Sequence, residues 1–359
     1  MSDPIIIFSS FLTALSGNLL AGAALLCAVF NWLGRNDRDS AAAAFQSRLY
    51  LALPSLFFFW LCQAALHLLS VAILLPAIYS GFETVRNPVA LSVAATVGLG
   101  AFCMQQLFFG KTAKKQSSPE PYRATLLLFM TGILISAGTT WFQENYQLFL
   151  MDHGLARVAS SITQGALTFP SNYYSQSAFL HYSVASIAIG GLALALGLYE
   201  SGQKDEDSVQ KKARIKSGAF IFLIATVLQA PVGGFYYNML PAEMMARIAG
   251  SDQAVSTIFG TSLLLMTIAT GCIARAALTA GRFSLITGSV AAAGTVLCMM
   301  ASRHQMRTMT LEPYLNIEAH PDLISTETTL AIIIILLALA NWLFYIKKRL
   351  FDLGGRGGS

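Results

Sequence analysis

The chain has 359 residues, of which 55% are hydrophobic and only 11% charged, where a soluble domain carries about 25% charged residues. Its mean hydropathy is +0.59. A globule of 38.6 kDa with so little charge has too little polar surface to stay solvated, which excludes a soluble enzyme, a disordered chain and a nucleic-acid binder; the formal charge of +5 then reflects membrane topology rather than anionic partners.

A helix needs about 20 apolar residues to cross the hydrocarbon layer. Nine runs qualify, roughly 5–33, 50–79, 88–110, 122–143, 176–199, 216–239, 254–278, 283–302 and 325–346. They predict an all-α integral membrane protein: a nine-helix bundle forming one polytopic domain over 1–350, with a flexible tail at 351–359. The acidic residues lie between the runs or at their ends, and none falls near the middle of one. The longest connections, 144–175 and 303–324, are too short for an inserted soluble domain. Ser2-Asp3-Pro4 lacks the positive charge of a secretory signal, and the apolar run after it is too long for one.

Nine crossings put the two ends on opposite faces, and Lys and Arg decide which is which. One face receives Arg35, Arg38 and Arg48, then Lys111, Lys114, Lys115 and Arg123, then Lys204, Lys211, Lys212, Arg214 and Lys216, then Arg275, Arg282, Lys347, Lys348, Arg349 and Arg356. The other receives only Arg86, Arg157, Arg247, Arg303 and Arg307. The split is 18 to 5. It predicts a multi-pass protein of the bacterial cytoplasmic membrane, with the N-terminus periplasmic and the C-terminus cytoplasmic.

The five cysteines, Cys27, Cys62, Cys103, Cys272 and Cys298, all fall within runs and none forms CxxC or CxxCH. Structural disulfides, zinc sites and covalent c-type haem are therefore not expected; small apolar packing residues are. Ionisable groups in hydrocarbon are costly and usually functional. Two histidines qualify, His67 in the second run and His181 about one turn into the fifth. Neutral imidazole ligates haem iron, and a membrane helix bundle can hold b-type haem; the plainer alternative is a histidine bonded to a neighbouring helix. His153, His304 and His320 fall in outer loops, where solvent accounts for them.

The stretch Phe179-Leu180-His181-Tyr182-Ser183-Val184-Ala185-Ser186 leads into Gly190-Gly191; a charged loop follows, then Ala213-Arg214-Ile215-Lys216-Ser217-Gly218 and Leu228-Gln229-Ala230-Pro231-Val232-Gly233-Gly234. This pattern resembles subunit I of cytochrome bd quinol oxidases, in which a histidine at the start of the fifth helix ligates the low-spin haem b. Thr140-Trp141-Phe142-Gln143 resembles that family's Asn-Ser-Trp-Met segment, and Phe169-Pro170 its Asn-Pro. Asn87-Pro88-Val89-Ala90 through Leu107-Phe108-Phe109-Gly110 tracks its third helix, and Ser302-Arg303-His304-Gln305 stands where it has Gly-Arg-Gln-Pro. The nine crossings and outer N-terminus are also that family's topology.

The departures are informative. The family's oxygen site uses a histidine in the first helix, two glutamates in the third and one in the eighth. Here the first run has no histidine, and the glutamate positions fall on Ser92, Gly100 and Met300. With no carboxylate in mid-membrane there is no evident proton path to a buried iron, so the chain is expected to lack high-spin haem b and haem d and not to reduce oxygen itself. The family's second axial ligand, a methionine early in the seventh helix, falls on Ile258 or Phe259, which cannot ligate iron. Met266 and His67 are the leading substitutes, with Met239, Met244 and Met245 in the outer turn also open. His67 is alternatively a ligand to a second haem or a quinone contact.

The resemblance thus implies His181, with His67 or Met266, as iron ligands, and Arg303, Trp141 and Gln143 as further cofactor-binding candidates. Arg303 and Arg307 are suited to haem propionates or to acidic groups on a partner. Glu243, in the outer turn between runs six and seven, is the candidate catalytic residue: it would accept a quinol proton and release it outside, unless it is a solvated loop carboxylate. The expected function is a b-type cytochrome subunit, the quinol-oxidoreductase part of a multi-subunit respiratory complex. It would move electrons between membrane quinol and a periplasmic carrier, a multihaem cytochrome c among the candidates, through one low-spin haem b and at most a second. Two alternatives stand beside it: a subunit of a bd-type oxidase whose oxygen site is on a partner chain, and a haem-free membrane scaffold.

Overall fold

The computed structural model describes residues 4–34, 40–74, 98–100, 102–103, 121–151, 173–198, 208–240 and 242–311. In chain order these form α1 (Pro4–Leu33), α2 (Ala41–Leu74), α3 (Pro121–Met151), α4 (Tyr173–Leu196), α5 (Ser208–Asn238), a short α6 (Ala242–Ala246) running into a π-turn (Arg247–Ser251), α7 (Gln253–Thr279) and α8 (Arg282–Leu311). Seven of these helices are long and apolar enough to cross a membrane, so the chain is a multi-pass, all-helical membrane protein among its described residues. Of the expected crossings at 88–110 and 325–346, only 98–100 and 102–103 are described, and those are helical.

Several helices outrun the apolar runs that announced them. α2 begins at Ala41 rather than near 50, and α3 continues to Met151 rather than ending near 143. α8 continues to Leu311 rather than 302, which places Arg303, His304 and Gln305 on helix instead of in a loop. Hydropathy reads only the part of a helix that suits hydrocarbon, whereas strong helix formers such as the Ala41–Ala44 tetrad extend the backbone pattern beyond it.

Helix ends are closed locally. The Asp252 carboxylate accepts from the N–H groups of Ala254 (3.0 Å) and Val255 (3.1 Å) and caps α7. At the far end of α7, Ala280 takes a left-handed conformation (φ 55°) and donates to the Ala276 carbonyl, which turns the chain directly into α8. α4 ends in a Schellman motif: Gly197 (φ +76°) donates to Leu194, and Leu198 donates to Ala193. The buried Arg214 guanidinium of α5 completes that end, donating to the carbonyls of Leu194 (3.0 Å) and Ala195 (2.7 Å).

α1 is the most enclosed helix, with neighbours in α2, α3 and α4. Its second half, from Leu20 to Phe30, forms an apolar cluster with Leu49, Leu53, Phe57, Trp60, Leu128, Ile135 and Leu194. A second cluster joins α4, α5, α7 and α8 through Ala188, Leu192, Phe222, Ala269, Ile273 and Leu285. α4 therefore belongs to both halves. It meets α1 almost backbone to backbone: a methyl carbon on Gly190 would lie 2.9 Å from the Gly22 Cα. A polar bond ties the same seam, with Ser186 Oγ donating to Asn18 Oδ1 (2.8 Å), and α4 is tied to α3 by a hydroxyl bond shared between Ser136 and Ser183 (2.9 Å).

Candidate functional site

His181 stands on α4, about two turns from the helix start at Tyr173, rather than the one turn expected from the apolar run. Its backbone carbonyl accepts a hydrogen bond from Gln229 Nε2 of α5 (3.0 Å). The imidazole lies face to face with the Tyr236 ring, with centroids 5.4 Å apart and planes 16° from parallel. Between Gln229 and Tyr236 on the sequence, Pro231 removes one helix N–H, and Gly233 turns bare backbone toward the histidine. A Cβ there would lie 3.5 Å from the imidazole Cε1 and 3.6 Å from Nδ1.

Nδ1 is buried and has no hydrogen-bond partner, while the residue as a whole keeps partial exposure. The two ring nitrogens are thus in different settings. The Nδ1 edge faces the bare α5 backbone at Gly233 and is closed to solvent. Nε2 is the nitrogen left to bind iron, and a ring wedged between Tyr236 and the α5 backbone is already oriented for it. The residues present therefore fit an axial haem ligand.

Arg303 of α8 closes the group. Its Nη2 donates to the Tyr236 hydroxyl (2.7 Å), and its guanidinium carbon lies 5.0 Å from the Tyr182 ring centroid and 5.6 Å from that of Tyr236. The position of Arg303 within the resemblance is thereby joined to His181 through Tyr236, a residue that the sequence did not single out. Its neighbour His304 is only 4% exposed. The loop expected for His304 is corrected: it lies on the continuing turns of α8, where solvent no longer accounts for it.

Beyond this group, Tyr236 and Tyr237 pack against a third cluster of Leu240, Met244, Ile248, Val255 and Met306, with Met239, Met245 and Phe259 at its margin. Three of the methionines left open as a second ligand, Met239, Met244 and Met245, thus gather beside Tyr236. Met266 instead packs against the second cluster with Val184, Ile187 and Leu223, roughly 10 Å further along α7 than Phe259. His67 lies on α2, Trp141 and Gln143 on α3, Glu243 on α6 and Arg307 on α8; the side chains of these five are outside the described residues. Gly100, where the resemblance expects a glutamate, faces apolar neighbours: a Cβ there would lie 3.2 Å from Ile135 Cδ1 and 3.8 Å from Phe57 Cε2. Met300, at another glutamate position, is buried; Ser92 lies outside the described residues. Among the described residues, no group of three or more His, Cys, Asp or Glu side chains is placed to hold a metal ion.

No protein-family model matches the chain, and no curated protein matches it. The fold does match a solved structure, a bd oxidase from Geobacillus thermodenitrificans, with a TM-score of 0.55 and 12% sequence identity over 97% of this chain and 100% of that one. The chain has a bd-oxidase-like fold.

Proposed function

We propose that this chain is the b-type cytochrome subunit of a respiratory electron-transfer complex in a bacterial cytoplasmic membrane. The observation that carries the reading is the His181 imidazole. It is held in an apolar bundle between an aromatic face and bare backbone, with Nδ1 enclosed and Nε2 left for a ligand. The bd-oxidase-like fold supports it, because the chain matches along nearly its full length a protein named as a bd oxidase.

Haem b, when bound, supplies one-electron transfer. His181 would hold its iron from one side. A second ligand would come from His67, from Met266 or from Met239, Met244 or Met245. Arg303 would place positive charge beside the site, with Trp141 and Gln143 as further contacts. Electrons would pass between membrane quinol and a periplasmic carrier or partner subunit, such as a multihaem cytochrome c. Glu243 would take the quinol proton at the outer face. Without acidic groups at Ser92, Gly100 and Met300, no oxygen-reducing site with haem d is proposed.

The test is a reduced-minus-oxidised spectrum of the purified chain. A b-type α-band without a haem d band is expected, lost in His181→Ala. A haem d band on the isolated chain overturns the proposed loss of the oxygen site. No haem signal from protein made with ample haem overturns the cytochrome reading and leaves the scaffold.

A further inference from the structure

From the contacts around His181 we infer that Tyr236 and Arg303 are positioning residues for this imidazole, and that Arg303 sets the redox poise of the metal it would bind; this rests on the haem reading above. His181, Tyr236 and Arg303 come from three different helices, α4, α5 and α8. Side-chain contacts connect them in series. The guanidinium donates to the Tyr236 hydroxyl at 2.7 Å, and the Tyr236 ring covers the imidazole face at 5.4 Å. Gln229 ties the His181 carbonyl to α5 at 3.0 Å. The ring is therefore covered on one face by Tyr236, while its Nδ1 edge looks onto the bare backbone of Gly233, so Tyr236 is the side chain that holds its orientation.

Arg303 is itself held, over Tyr182 at 5.0 Å and Tyr236 at 5.6 Å. A guanidinium does not deprotonate in proteins, so this end of the site carries a permanent positive charge among aromatic rings, where screening by water is weak. Such a charge disfavours the ferric state, which has one more positive charge than the ferrous, and so raises the midpoint potential of an iron ligated by His181. Engaged in this way, the guanidinium acts on the iron through space and through Tyr236.

Redox titration and low-temperature electron paramagnetic resonance of the purified full-length chain test this with four variants. Arg303→Gln is expected to lower the midpoint of the b-type band, and Arg303→Lys to restore most of the difference. Tyr236→Leu is expected to change the low-spin g-values, which report ligand orientation, whereas Tyr236→Phe keeps the ring and shifts them less. If haem is retained and Arg303→Gln and Tyr236→Leu leave both midpoint and g-values unchanged, the inference is overturned while the haem reading survives. A haem-independent check is a thermal-melting cycle of Tyr236→Phe, Arg303→Gln and the double variant. Non-additive shifts are expected from the direct bond, and strict additivity overturns the clamp. Coupled melting in a chain that shows no b-type band would instead overturn the haem reading alone.

Discussion

Gly190→Ala tests the seam on which the placement of His181 depends. The added methyl carbon would lie 2.9 Å from both Cα and the carbonyl carbon of Gly22 and 3.1 Å from its oxygen. Ordinary carbon contacts need about 3.5–4.0 Å, so α1 and α4 must separate by roughly 0.6–1.1 Å at this point. The obstacle is backbone, which cannot rotate aside as a side chain can. Overpacking of this kind costs about 1–3 kcal/mol, and the absence of a yielding neighbour argues for the upper end. Alanine returns about 1 kcal/mol through its better helix propensity, which leaves a net loss of about 2 kcal/mol. The matched control is Gly271→Ala on α7, where an added methyl would meet nothing within 4 Å; it is expected to melt at or above the parent temperature. Both are read by thermal unfolding in one detergent. Gly190→Ala melting no lower than the parent would refute the close approach of α1 to α4.

Three further outcomes are expected. Arg214→Met removes the side-chain donor to the Leu194 and Ala195 carbonyls; Leu194 keeps its bond from Gly197 but the Ala195 carbonyl loses this partner, a loss of about 1–3 kcal/mol visible as a lower melting temperature with the b-type band intact. Met266→Leu and His67→Ala, made separately, identify the second ligand: the low-spin signal converts to high-spin in whichever variant has lost it, and a signal unchanged in both assigns the role to Met239, Met244 or Met245. Cys27, fully buried with its thiol directed at the Gln46 carbonyl, should resist maleimide until the protein is denatured, as followed by mass spectrometry.

The crossings were legible because hydrocarbon imposes length and apolarity directly on the sequence, and seven of the expected runs correspond to described helices. Their ends were not legible in the same way. Arg303-His304-Gln305 looks like the close of a membrane run on polarity, yet α8 continues through it and alternates polar contact with burial. His181 was legible from its rarity and its flanking residues. Gln229 was visible only as part of a resemblance, and its bond to the His181 carbonyl explains why an amide belongs there. Tyr236 gave no signal, since an aromatic near a membrane helix end is ordinary; only the packing of α5 on α4 lays it over the imidazole. The Met266 reading relied on counting along one helix, whereas ligand choice depends on the levels at which separate helices meet.

α4 serves as a party wall. Its Leu194 side faces the compartment built around α1, and its Leu192 and Ala195 side faces the compartment of α5, α7 and α8. A jolt to either room reaches the same histidine. Because both share this one helix, the two compartments should lose structure together on heating, in a single transition.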